Sequence, residues 1–324
     1  MVRSKRLEAA IAQLNAARQN PSSKAAIAII QQTLGSKFSI AVAQAAKLVA
    51  DAELYLLIPD LVHAFERLME HPVDRDPGCK GKERLADALY RLEFSGERLF
   101  LRGIHHVQME PVWGTRVDTA AGLRGTCALG LVRMNYPEVM VELADLLADP
   151  EPPARILAAQ AIAYADSPAS VPLLRLKVRL GDDNLQVVSD CLTGLIKLAP
   201  EPSLPFVAQY LSAADPVAEV AALALGESRL AAALPLLKGS WHQATDPEFR
   251  RLALMAIAML RQDEAIAFLL GLIEGGSEAD ASSAMEALRP YRQDQALWER
   301  VEQAAHSREA ALADRQTNTL SNQP

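Results

Sequence analysis

The sequence predicts an all-α chain, a right-handed α-α superhelix of about eight helix pairs behind an N-terminal helical cap. Three observations predict it. First, between Asp149 and Asp280 the chain repeats itself, each copy opening on aspartate at Asp149, Asp182, Asp215 and Asp246, with gaps of 33, 33 and 31 residues. A period of this length marks a solenoid whose units cannot bury their apolar faces alone. Second, half of the 324 residues are apolar but only 5% are aromatic. Alanine and leucine fill the apolar share, which suits close-packed helices better than sheets rich in β-branched and aromatic residues. Third, proline falls at the breaks (Pro168, Pro200, Pro202, Pro216, Pro247, Pro290), where it costs little, or in the first turns expected around Pro172, Pro205 and Pro235.

Taken in order, residues 3–19 read as a first helix with Leu7, Ala10, Ile11 and Leu14 at helical spacing. Asn20-Pro21-Ser22 breaks it and caps a second helix over about 23–34. This pair is the expected N-terminal cap, residues 1–35, and the repeats are expected over 36–308. Helices are predicted over 40–49 and 57–70, then 80–92 and 97–109, with the turn cluster Asp74-Arg75-Asp76-Pro77-Gly78 between the pairs. Asp76 to Asp118 spans 42 residues, about nine more than the later period, and the excess lies mainly in Glu110–Arg116. Pairs follow at 118–134 with 137–148, 153–165 with 168–180, 184–198 with 203–213, 217–229 with 231–240, 247–261 with 263–274, and 279–288 with 294–306. Residues 309–324 are expected to form a flexible tail.

Laid out in this way, the pairs resemble the HEAT-repeat superfamily in its short, phycobilin-lyase-type form. The resemblance rests on the Asp-Pro starts, on Arg155-Ile156-Leu157-Ala158-Ala159-Gln160-Ala161-Ile162, and on the parallel Arg251-Leu252-Ala253-Leu254-Met255-Ala256-Ile257. It covers about residues 36–307. It implies that an aspartate and an Arg or Lys brace neighbouring units. Asp149, Asp182, Asp215 and Asp246 fit the first role; Arg155 and Arg251 fit the second, which the copies at 182 and 215 leave unfilled. The superfamily holds scaffolds, transport receptors, pigment lyases and alkylpurine DNA glycosylases, so the fold alone does not choose a function.

Composition narrows the classes. Cys79, Cys127 and Cys191 lie far apart without paired spacing, which argues against a disulfide framework or a cysteine zinc site and suits a reducing cytosol. The basic start leads into an amphipathic helix rather than an apolar leader, and no apolar run approaches the roughly 20 residues of a membrane span. A cytoplasmic protein without membrane contact is expected. Residues 1–133 hold 18 Lys/Arg against 14 Asp/Glu, whereas 134–324 hold 15 against 26. The second stretch lacks the long basic face that nucleic acid demands, so nucleic acid is a disfavoured partner.

The stretch that draws most attention is Arg98–Asp118. On a helix from Glu97 to Met109, Phe100, Ile104 and Val107 enter the core. Arg98, Arg102, His105 and Met109 then share the opposite face, with His106 at its edge. The following loop adds Trp113 and Arg116. Second helices usually line the concave side of a solenoid, so Arg98, Arg102, His105, Trp113 and Arg116 form the expected partner-binding set. Guanidiniums grip carboxylate or phosphate, and an indole stacks a ring or a cation.

A structural explanation competes with that one. Glu138, Glu142 and Asp145 on the next second helix, then Arg175 and Arg179 on the one after, alternate with the arginines as a lateral brace, and Trp113 plugs a gap as a buried wedge. His106 and Glu110 stand four apart near Asp118, yet a third ligand and the His-Glu-x-x-His pattern are missing, so no metal is expected. Cys127 and Cys191 read as core residues. Cys79 falls near a helix start, which favours a thiolate, with no histidine beside it in sequence. No phosphate loop, dinucleotide fingerprint or nucleophile elbow occurs.

The expected function is therefore a non-catalytic scaffold that binds a protein partner through its concave surface, with no catalytic residue and no cofactor. Two alternatives stay open. One is a pigment-handling lyase, with arginines pairing bilin propionates as a small-molecule ligand. The other is a base-excision glycosylase built on Trp113, Arg116 and Asp118.

Overall fold

A computed structural model describes residues 2–212 and 215–321, with side chains described from 5 to 313. The end of the helix expected over 203–213 and the last three residues of the expected tail lie outside the described residues. Among the described residues the chain is all-α apart from one two-stranded hairpin.

The chain divides into two compact units, 1–173 and 174–324. The first holds α1 (Val2–Ala17), α2 (Lys24–Leu34), α3 (Ser39–Asp51), α4 (Ile58–Met69), the short α5 (Pro72–Arg75), α6 (Lys80–Arg91) and α7 (Glu97–Ile104). The hairpin follows as β1 (Met109–Val112) and β2 (Thr115–Asp118), and then come α8 (Ala121–Arg133), α9 (Val139–Leu147) and α10 (Pro152–Ala165). Helix α11 (Ser170–Leu180) crosses the division. The second unit continues with α12 (Leu185–Leu198), α13 (Pro200–Ala208), α14 (Pro216–Glu227), α15 (Ala233–Gln243), α16 (Pro247–Met259), α17 (Asp263–Gly275), α18 (Glu278–Leu288) and α19 (Gln295–Ser321).

Within the first unit the first helices of successive pairs stack in series, α3 on α6 on α8 on α10, and α4, α7 and α9 lie against them. The second unit repeats the scheme with α12, α14, α16 and α18. Alanine makes this approach possible: Ala45, Ala46, Ala86 and Ala88 in the first unit, and Ala221, Ala222, Ala253 and Ala256 in the second, are fully buried. Each repeat aspartate sets its helix start in the same way. The carboxylates of Asp149, Asp182, Asp215 and Asp246 accept the amide two residues on, at 2.8, 2.8, 2.8 and 3.2 Å, and Asp118 does so from Ala120 at 3.0 Å. Such a turn bends the chain into the helix start. Asp215 and Asp246 are themselves the caps of α14 and α16, whereas Asn184 caps α12 and neither α8 nor α10 has a side-chain cap.

Several boundaries differ from expectation. Helix α7 stops at Ile104, and the residues expected to continue it to Met109 form a loop and the first strand. Helix α8 begins at Ala121, not at Asp118. Helix α13 begins at Pro200, which places Pro205 inside it rather than in its first turn. Helix α19 runs well past residue 306, where the apolar spacing fades.

Candidate functional site

The roughly nine extra residues of the 76–118 interval fall in the hairpin, Met109–Asp118. Its register pairs Met109 with Asp118, Glu110 with Val117, Pro111 with Arg116 and Val112 with Thr115, leaving Trp113-Gly114 as a two-residue turn. Both turn residues have positive φ, 36° and 85°. This is the hairpin turn whose twist matches the strands, and glycine suits its second position. Trp113 in the first is unusual, because a bulky residue there is strained. The indole has 102% relative exposure, so it is no wedge. Around it Val107, Met109, Val112 and Val117 are also exposed, which reverses the expectation that Val107 joins the core.

The base of this hairpin is held by a buried polar network. Asp76 and Lys82 are both 0% exposed and form an ion pair at 3.2 Å, while the Asp76 carboxylate also takes the amides of Gly81 and Lys82. The Gln108 side chain donates to the Asp76 carbonyl at 2.9 Å and to Glu110 Oε1 at 2.6 Å, and its amide donates to Asp118 at 2.9 Å. Glu110 accepts in addition from the Gly78 amide and the Thr119 hydroxyl, each at 2.7 Å. Arg124 binds Asp118 at 2.6 Å and the His106 carbonyl at 3.0 Å, then grips Asp149 through Nε and a terminal nitrogen, both at 2.8 Å. Arg155 donates to the carbonyls of Asp149 and Pro150.

Burial would raise the Asp118 carboxyl, but the amides of Gln108 and Ala120 and the Arg124 guanidinium outweigh it and hold it below its ordinary value. Glu110 is lowered against the same opposing burial by Gln108, Thr119 and the Gly78 amide. His106 is pushed down by burial, and its Nε2 lies 3.2 Å from Gln108 Oε1. Glu110 and Asp118 are thus committed to hydrogen bonds, and no group of three His, Cys, Asp or Glu among the described residues is placed to hold a metal. The carboxylate that a glycosylase would need beside Trp113 is buried beneath Arg124.

Cys79 also departs from expectation. It precedes α6 with φ of 57° and is fully buried, and desolvation pushes its thiol up to about 12, the reverse of thiolate activation.

The five expected binding residues divide into two groups. Arg102 on α7 pairs with Glu66 of α4, and His105, which caps the C-terminus of α7, sits 2.7 Å from Glu142 of α9. Both therefore brace neighbouring second helices. Arg98, Trp113 and Arg116 are exposed, and among the described residues no ion pair holds either arginine. Within the second unit, Arg175 and Arg179 stack on Phe206, 4.2 and 5.3 Å from its centroid. Lys82, Gln108 and Arg124 were missed as site residues. The available signal was spacing: Asp76–Lys82, Asp118–Arg124 and Asp149–Arg155 are each six apart. The aspartate-to-basic brace also needs one correction, since Arg250 rather than Arg251 bonds Asp280 of the next repeat, at 2.7 Å.

Residues 204–289 match the family model for HEAT repeats, so the resemblance drawn from the repeat starts holds over that stretch. No curated protein matches the sequence. Similar solved structures include the CpcE–CpcF complex of phycocyanin lyase from Nostoc sp. PCC7120, at 16% identity over 70% of this chain and 89% of that one, with a TM-score of 0.37. Human deoxyhypusine hydroxylase in complex with glycerol aligns at 15% identity over 89% and 90%, with a TM-score of 0.29. An engineered protein aligns at 16% identity over 94% of both chains, with a TM-score of 0.38. Likenesses this distant carry no argument for an activity. Among the described residues no helix is long and apolar enough to cross a membrane.

Proposed function

We propose that this helical-repeat chain is a non-catalytic scaffold that docks a protein partner through the face made by α7 and the 109–118 hairpin. One observation carries the reading: Trp113 is fully exposed on a strained turn, at the tip of a hairpin whose base is fixed by buried ionic bonds. A rigid mount for an exposed indole makes sense only if the indole is covered in use. Tryptophan and arginine dominate the energetic centres of protein interfaces, and burying an indole removes 150–250 Å² from water. Trp113 is the anchor in this reading. Arg116 and Arg98 supply charge, while Arg102 and His105 hold the face in place through Glu66 and Glu142.

The test is affinity capture from the native cell extract with the intact chain, Trp113→Ala, and Arg116→Glu. A partner retained by the intact chain is expected to fall by at least about tenfold with either variant. The helical circular dichroism of all three should coincide. A capture profile indifferent to both substitutions would overturn the reading.

A further inference from the structure

The second unit contains a cavity of about 960 Å³ where α13 and α15 meet the starts of α14 and α16. Leu211, Leu236 and Phe249 give it an apolar floor, and Asp215, Glu219 and Asp246 stand exposed on its rim. No lysine or arginine lines it, and among the described residues none of the three carboxylates has a cationic partner. Asp215 and Asp246 accept amides at the starts of α14 and α16, and among the described residues Glu219 accepts no hydrogen bond. Gly239 lies within α15 on the cavity wall, and a methyl group built there would meet nothing within 4 Å. Glycine weakens a helix relative to alanine, and no neighbour inside the chain needs the missing methyl.

We infer that this groove receives the hairpin tip of a second copy of the chain, with Trp113 seated over Gly239 and Arg116 facing Glu219 and Asp215. The inference rests on the hairpin being a docking element and names its partner. The two surfaces are complementary in kind, an apolar tip beside an arginine against an apolar floor beside carboxylates. The cavity has ample room for an indole and its flanking Val112. The wider charge agrees, since 1–133 is net positive and 134–324 net negative on 18 against 14 and 15 against 26 ionised side chains. Because the joined surfaces differ, reciprocal insertion closes a two-fold dimer, and one-way insertion builds a ring or an open chain.

Sedimentation velocity of the full chain from about 1 to about 100 µM is the primary test. Association is expected to weaken with rising salt and to drop at least about tenfold in Trp113→Ala, Arg116→Glu and Glu219→Arg. Joining Arg116→Glu with Glu219→Arg should recover much of it. Gly239→Leu should block association while melting no lower than the intact chain, which separates a filled groove from a damaged fold. In a mixture of ordinary and nitrogen-15-labelled chains, a photoreactive phenylalanine analogue at Val112 should link to residues 208–249 of the other isotopic form. A monomer across the whole concentration range, links confined to one isotopic form, or association indifferent to Trp113→Ala would each overturn the inference. If the chain stays monomeric while Trp113-dependent capture of another protein persists, the docking reading survives and only the second-copy assignment falls.

Discussion

Lys82 and Asp76 place two full charges where no water reaches them. Desolvation makes such a pair a weak source of net stability, but removing one member leaves the other uncompensated. Lys82→Met should therefore destabilise the chain by about 3 kcal/mol in urea denaturation, toward the low end because the Gly81 and Lys82 amides still bind Asp76. Glu110 and Asp118 add a pH dependence. Both carboxyls lie below their unfolded values in the folded chain. The stability they contribute is thus complete above about pH 5 and is lost as pH falls through their lowered folded values. Glu110→Gln should flatten the acid limb of the melting curve below about pH 5, whereas a limb of unchanged slope would place that stability elsewhere.

The hairpin is the element at which sequence reasoning failed, and the cause is specific. Ile104 and Val107 keep helical spacing, and nothing between His105 and Met109 is a helix breaker. What ends α7 lies far away: the buried Gln108 bonds the Asp76 carbonyl and the Asp118 carboxylate. Local periodicity cannot register such a competitor. By contrast, most repeat helices were legible to within a few residues, because the aspartate and proline that start them act on the next three amides. The candidate binding residues were found but their roles were not, since exposure of Trp113 and pairing of Arg102 with Glu66 depend on where the hairpin goes. The turn itself gives a test. Asparagine tolerates positive φ better than tryptophan, so Trp113→Asn should raise stability by a few tenths of a kcal/mol, up to about 1 kcal/mol, while abolishing docking. A loss of stability would show that the indole serves the fold.

Basic side chains tie one repeat to the next, as Arg124 does to Asp149 and Arg250 to Asp280. Stacked repeats transmit stability mainly to nearest neighbours. Arg124→Ala should therefore raise amide hydrogen exchange in the hairpin and α8–α10 far more than in α16–α18. A uniform rise would mean that the chain unfolds as one block.

The strands leave the helical stack at Gln108 and rejoin it at Thr119, whose amide donates to the Gln108 carbonyl at 3.0 Å. That bond closes the gap whatever lies beyond it. Residues 111–116 lie beyond it, so grafting another short loop there should leave the frame that carries it unchanged.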